Sequence, residues 1–154
     1  GSKYDKNGNL SQWWTEEDTK RFNERIQVMR EYHDSIEVLP GLHSNGSLTL
    51  GENMADHGGL MVSYQAFVNA TAQAPLSDKD GFTPAQRFFL AYANVWGQNI
   101  RDEEIRKRVK SDPHSLGKWR VNGQMPHMDA WYEAFGITEQ DPMFVPKEKR
   151  VTIW

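Results

Sequence analysis

Glu52 and Asp56 are the residues in this 154-residue chain whose type and spacing first suggest chemistry. Four positions apart on a helix, two side chains diverge by only about 40°, so both carboxylates share one face. Gly59 and Ser63 continue that stripe with almost no side chain. Like charges at this spacing repel, and a buried carboxylate needs a partner. Two readings follow: exposed acids on a solvated face, or a metal ligand beside an acid that orients another ligand. The five histidines, His33, His43, His57, His114 and His127, do not complete a zinc site, because no two stand four apart. The H-E-x-x-H pattern, which gives two ligands and a general base from one helix, is therefore missing. With no cysteine, thiolate metal sites and disulfides are excluded. A catalytic zinc takes three protein ligands and keeps one position for water. This chain offers one convincing ligand.

Several helices must position these groups. Thr15 reads as an N-cap before the acidic turn Glu16-Glu17-Asp18, and Phe22, Ile26, Met29 and Ile36 fall near helical spacing. A helix is expected over 15–38, stopped by Pro40-Gly41. Ser47-Leu48-Thr49-Leu50 leads into a second helix that runs to about Ala72 and carries Glu52 and Asp56. Its interior glycines, Gly58 and Gly59, each cost roughly 1 kcal/mol against alanine. Such glycines mark close approach by another element, so this helix is expected to be buried. Thr83-Pro84 starts a third helix, with Phe88, Tyr92 and Trp96 in line. A charged helix follows over 102–110, then a loop over 112–126, a last helix over 128–135 and an extended tail. The sum is an all-α chain of about five helices, read as one domain over residues 1–154.

The composition limits the partners. Apolar residues make up 38% of the chain, and the 12% aromatic content offsets that modest share by burying large areas per side chain. No apolar run is long enough to span a membrane, so no membrane segment is expected in this chain. The net charge is −3, and the basic run Arg106-Lys107-Arg108-Val109-Lys110 directly follows Asp102, Glu103 and Glu104. That run reads as the cationic end of a helix, so no nucleic acid is expected as a partner.

Leu48 through Leu60 reads L-T-L-G-E-N-M-A-D-H-G-G-L, and this run resembles the signature of the neprilysin and endothelin-converting-enzyme family of zinc endopeptidases. Phe88-Phe89-Leu90 with Val95-Trp96 is similar to the family's aromatic helix. Asp112-Pro113-His114-Ser115 with Trp119-Arg120-Val121-Asn122-Gly123 resembles its D-x-H-S and R-V-x-G segment. Ala134-Phe135, Asp141-Pro142-Met143 and Arg150 to Trp154 resemble its closing motif. The matches keep the family's order over nearly the whole chain. Lys3 to Leu10 resembles the segment just after the family's zinc helix, so the chain is expected to begin a few residues past that helix and to end at the family's own terminus.

The resemblance implies a fold: the helical C-terminal part of a neprilysin-like catalytic domain. It implies Zn2+ in a full-length parent, with Glu52 as third ligand beside two upstream histidines. Asp56 would hydrogen-bond one of those histidines and set its tautomer. His114 would donate to the oxyanion of the tetrahedral intermediate. Arg120 would hold a backbone carbonyl of the bound peptide, and Val95 and Trp96 would wall the pocket for the residue after the scissile bond. Taken without the resemblance, His114 could simply close a turn, Arg120 could be a surface ion-pair partner, and Trp96 could be core. His127 stands near the substrate groove where the family commonly has Asn. The expected partners are peptide substrates and the upstream part of the same polypeptide. The chain alone is expected to be inactive and to hold zinc weakly or not at all. The lack of cysteine points to a bacterial member, with an extracytoplasmic site slightly favoured. A non-enzymatic helical interaction domain, or a pseudo-peptidase, is the alternative.

Overall fold

The computed structural model describes residues 2–153. Among them are six α-helices and one small two-stranded sheet, an all-α architecture. The first helix, α1 (Glu16–Asp34), starts where Thr15 accepts the Asp18 amide and where three acidic residues meet the positive end of the helix dipole. It stops four residues earlier than its apolar spacing suggests. The Ser35 hydroxyl donates to the Tyr32 carbonyl at 2.6 Å, and the chain then turns into β1 (Glu37–Leu39) and β2 (Leu42–His43). Pro40-Gly41 is the hairpin turn rather than a helix stop. Gly41 has φ +73°, which Pro followed by Gly supplies at little cost.

The long helix α2 (Gly46–Gln73) absorbs Ser47–Leu50, which the sequence suggested as a separate lead-in. Asn45 caps it by accepting the Leu48 amide at 2.9 Å. The close approach to α1 is at Gly46, not at Gly59. A Cβ on Gly46 would run into the Arg30 carbonyl and the Asp34 carboxylate. The Gly46 amide instead donates to Asp34 Oδ1 at 2.6 Å. One face of α2 is buried through Asn53, Met54, His57, Gly58 and Leu60, while Gly51, Ala55, Gly59, Ser63 and Ala66 are exposed. The expectation of a wholly buried helix therefore holds for one face only. Nothing lies within 4 Å of a Cβ built on Gly51 or Gly59.

Two apolar clusters hold the chain together. In one, Ile26 and Met29 of α1 pack on Met54 of α2 and on Val151 of the tail. In the other, Leu60 meets Phe89, Met125, Met128, Trp131 and Tyr132. The third helix, α3 (Pro84–Val95), opens on a capping box in which the Thr83 side chain accepts the Gln86 amide and the Gln86 side chain accepts the Thr83 amide. Gln86 Nε2 also donates to the Ala134 carbonyl at 2.9 Å, tying α3 to α6 (Asp129–Phe135). Between them lie α4 (Asp102–Ser111) and α5 (Gly117–Asn122). The sequence reads residues 112–126 as a loop, yet α5 and a 3-10 turn at Met125–His127 occupy it. Gly117 and Gly123 permit this packing, because both sit where side chains would collide with neighbours. The tail beyond α6 is pinned by the Tyr132 hydroxyl, which donates to the Pro126 carbonyl and accepts the Val145 amide, each at 2.9 Å. A short 3-10 turn at Lys147–Lys149 interrupts the extended tail. Trp154, expected to match a family terminus, lies outside the described residues.

Candidate functional site

Helix α2 brings Glu52 and Asp56 onto one side, as their spacing requires, and two other segments meet them there. Glu52 Oε2 lies 3.3 Å from His114 Nε2. One turn further on, Arg120 grips Asp56 with two hydrogen bonds, Nε to Oδ2 at 2.7 Å and Nη2 to Oδ1 at 2.6 Å. This fork matches the planar guanidinium to the carboxylate and gives the pair direction as well as charge. The Arg120 and Asp56 side chains are only 16% and 12% exposed. That excludes the readings of Asp56 as a solvated acid and Arg120 as a surface ion-pair partner. The hydrogen bonds to Asp56 stabilise the charged guanidinium and push its pKa up.

His114 sits on the segment between α4 and α5 and is positioned by Asp112. The Asp112 Oδ1 atom accepts both the His114 amide and His114 Nδ1, each at 2.9 Å. Arg108 at the end of α4 donates to the other oxygen, Oδ2, at 2.8 Å. The His114 amide first, then the His114 ring and Arg108, hold the Asp112 carboxyl down at about 2, so it stays a carboxylate at any working pH. His114 does close a turn, and it also presents Nε2 to Glu52. With both nitrogens protonated the ring donates at each end, to Asp112 and to Glu52.

Arg120 also packs on an aromatic ring. Its guanidinium lies 3.7 Å from the centre of the Trp96 ring, a cation–π contact. Its carbonyl accepts the Tyr92 hydroxyl at 3.0 Å. Gly117 permits this by letting the start of α5 lie against the Trp96 carbonyl, 2.5 Å from where a Cβ would stand. Trp96 is thus partly buried beneath Arg120 at the end of α3, while Val95 beside it is 70% exposed. The structure brings Glu52, Asp56, His114, Arg120 and Trp96 together and leaves Val95 at the solvent edge. His127 is buried at 4% exposure, accepts the Val151 amide at 3.3 Å and borders a cavity lined also by Met61, Tyr64 and Arg150. The sequence reading gave no role to Asp112, Tyr92, Asn53 or Ser115. Asn53 and Ser115 stood inside the quoted motifs, each directly after a candidate functional residue.

Among the described residues no three His, Asp or Glu side chains converge as a metal-ligand set. The donors present fit one part of a zinc site. Glu52 is a half-exposed carboxylate, 43% exposed, on an open stripe of small residues where further ligands could approach. No described helix is long and apolar enough to cross a membrane.

The model of peptidase family M13 matches residues 1–151. A neutral endopeptidase of Lactobacillus helveticus is 36% identical over all of this chain, which covers 22% of that protein. Human neprilysin is 32% identical, again over all of this chain and 21% of its own length. The crystal structure of the Mycobacterium tuberculosis zinc metalloprotease ZMP1 in complex with inhibitor superposes with a TM-score of 0.93 at 37% identity, covering all of this chain and 24% of that one. The chain thus spans between a fifth and a quarter of the length of these relatives.

Proposed function

The chain belongs to peptidase family M13, and from that membership we propose that it is the C-terminal part of a zinc endopeptidase catalytic domain. The observation that carries the reading is the pairing of Glu52 with His114 and of Asp56 with Arg120 on one side of α2. Four polar residues from three segments converge beside a stripe of small residues with room for another element.

Glu52 would hold zinc together with two histidines supplied by the upstream part of the same polypeptide. Zinc bound there supplies Lewis acidity, polarising the scissile carbonyl and lowering the pKa of a water. The chain's own residues do the rest of what is proposed for it. Asp56, with both oxygens already accepting from Arg120, keeps a second lone pair on each, so it can also accept an imidazole N–H and set that ring's tautomer. Asp112 holds the proton on His114 Nδ1 and fixes the ring plane. His114 then presents Nε2–H to the oxyanion that forms on the substrate, a donor aimed in advance at developing charge. Arg120 has Nε and Nη2 committed to Asp56, which leaves Nη1 to bind a backbone carbonyl of the peptide. Trp96 and Val95 border that position. The substrates are oligopeptides, and the chain by itself, with one zinc ligand and no general base from the missing motif, is inactive.

The test compares the 154-residue chain with the full-length parent, using a fluorogenic oligopeptide and metal analysis. The parent is expected to hold one zinc and cleave the peptide. Glu52→Gln in the parent loses both, and the 154-residue chain shows neither. Zinc-dependent cleavage by the purified 154 residues overturns the two-part site.

A further inference from the structure

Glu52 and His114 are each followed by a buried polar residue, and those two neighbours are bonded to each other. Asn53 is fully buried and Ser115 is 4% exposed. Ser115 Oγ donates to Asn53 Oδ1 at 2.8 Å, and His33 Nδ1 of α1 stands further off, 3.5 Å from the Ser115 oxygen. Asn53 Nδ2 donates to Thr49 Oγ1 at 2.9 Å, and Thr49 Oγ1 donates to the Asn45 carbonyl at 2.9 Å. The four groups form one directional chain, in which every hydroxyl and amide is assigned by its neighbour's role. The amide of Asn53 therefore has only one orientation that satisfies both partners.

We infer that this buried Ser115–Asn53 bond is the strut that sets the distance between Glu52 and His114, so that both are positioning residues for the centre proposed above, on which the inference rests. Asp112 and Arg108 cannot do that. Asp112 bonds to His114 within the same segment and Arg108 ends α4, so they fix the imidazole relative to its own loop and not to α2. Nor can the Glu52–His114 contact set its own spacing. Its side chains are 43% and 41% exposed, and an exposed ion pair is screened and weak. The Arg120–Asp56 fork joins α2 to α5 one turn away and makes no contact with His114 itself. The neutral bond in the interior is stronger in effect, because breaking it strands a buried polar group. Successive residues on α2 point about 100° apart, so Asn53 faces the core while Glu52 faces outward beside it. A shift of Ser115 against Asn53 is passed directly to His114, its chain neighbour.

Two measurements test this. A crystal structure of the 154-residue chain carrying Ser115→Ala is expected to show the His114 Nε2 to Glu52 Oε2 separation grown by about 1 Å or more from 3.3 Å, with α2 unmoved. In the full-length parent, Ser115→Ala is expected to lower kcat roughly 10- to 100-fold, the scale of an ångström's misplacement of a reacting group. KM stays within about 2-fold of the parent value and zinc content is unchanged, since Glu52 keeps its place. Ser115→Thr, which retains the hydroxyl, is expected to recover most of the loss. An unchanged separation, an unchanged kcat, or loss of zinc together with kcat each overturns the strut. If Ser115→Ala does not fold, Ser115→Cys keeps the volume, weakens the bond and is read the same way. A parent without peptidase activity refutes the proposed function, while the crystallographic separation still decides the strut by itself.

Discussion

Acid is expected to destabilise this chain above the pH at which its carboxylates titrate, because three buried histidines are held neutral. His33 of α1, His57 of α2 and His127 of the 3-10 turn before α6 are at most 4% exposed. Burial, above all, lowers His33 and His57 to about 4 and His127 to about 3, from an ordinary 6.5. For His127, His57 and His33 then add mutual repulsion, with Arg150 contributing as well. The geometry agrees. A proton added to His127 Nδ1 would oppose the Val151 amide that it now accepts at 3.3 Å, releasing the tail. The folded values lie below the unfolded one, so the unfolded chain binds more protons between pH 6.5 and 4. Stability is whole above pH 6.5, falls as pH drops below it, and stops falling once the folded values are passed. At about 1.4 kcal/mol per pKa unit, each ring costs about 2 kcal/mol at pH 5, or about 6 kcal/mol for the three. A domain of this size has roughly 5–15 kcal/mol in total, so this loss removes a large share of the stability by pH 5. Asp112, with its carboxyl held down at about 2, and Asp129, also lowered, lose their contributions only at lower pH. Urea unfolding followed by circular dichroism at pH 7.5, 6.5, 5.5 and 5.0 measures the slope. His127→Asn is expected to reduce the loss between pH 7.5 and 5.0 by about 2 kcal/mol. An unfolding free energy that stays within about 1 kcal/mol over that range refutes the reasoning.

Three further outcomes follow from packing around α2. Gly59→Ala is expected to stabilise the 154-residue chain by about 1 kcal/mol in thermal unfolding, because its Cβ meets nothing within 4 Å and helix propensity improves. The same change in the full-length parent is expected to lower activity, since the proposed upstream element packs on that stripe. Asp56→Ala strands the Arg120 guanidinium over Trp96 and is expected to cost about 2 kcal/mol in urea unfolding, less than a fully buried pair because both side chains keep some exposure. Gly123→Ala forces a Cβ against the Trp119 carbonyl and to within 2.7 Å of His33 Cε1, and is expected to destabilise by at least about 2 kcal/mol by the same assay.

Much of this protein was legible from local patterns. Thr15 and Thr83 announce helix starts because a hydroxyl satisfying an early amide is a property of the neighbouring residues alone. Glu52 and Asp56 share a side because helix pitch puts residues four apart together. The resemblance of Leu48–Leu60 and Asp112–Gly123 to a peptidase family, and through it the naming of His114 and Arg120, rests on residue order and needs no coordinates. Tertiary structure decided the rest. Pro40-Gly41 is equally a helix stop and a hairpin turn in local terms, and only the pairing of Glu37 with His43 selects the turn. Gly117 and Gly123 look like loop residues, yet they are the contacts that let α5 lie against Trp96 and His33. The glycines of α2 give no local sign of which one meets a neighbour, yet a Cβ on Gly59 would meet nothing while one on Gly46, outside the small-residue stripe, would run into α1. Above all, the partners of Glu52 and Asp56 lie about 60 residues away in sequence, and a pairing at that separation depends on how whole helices pack. The two carboxylates were visible from the start; which donor faces each of them, and through which buried bond, belongs to the fold.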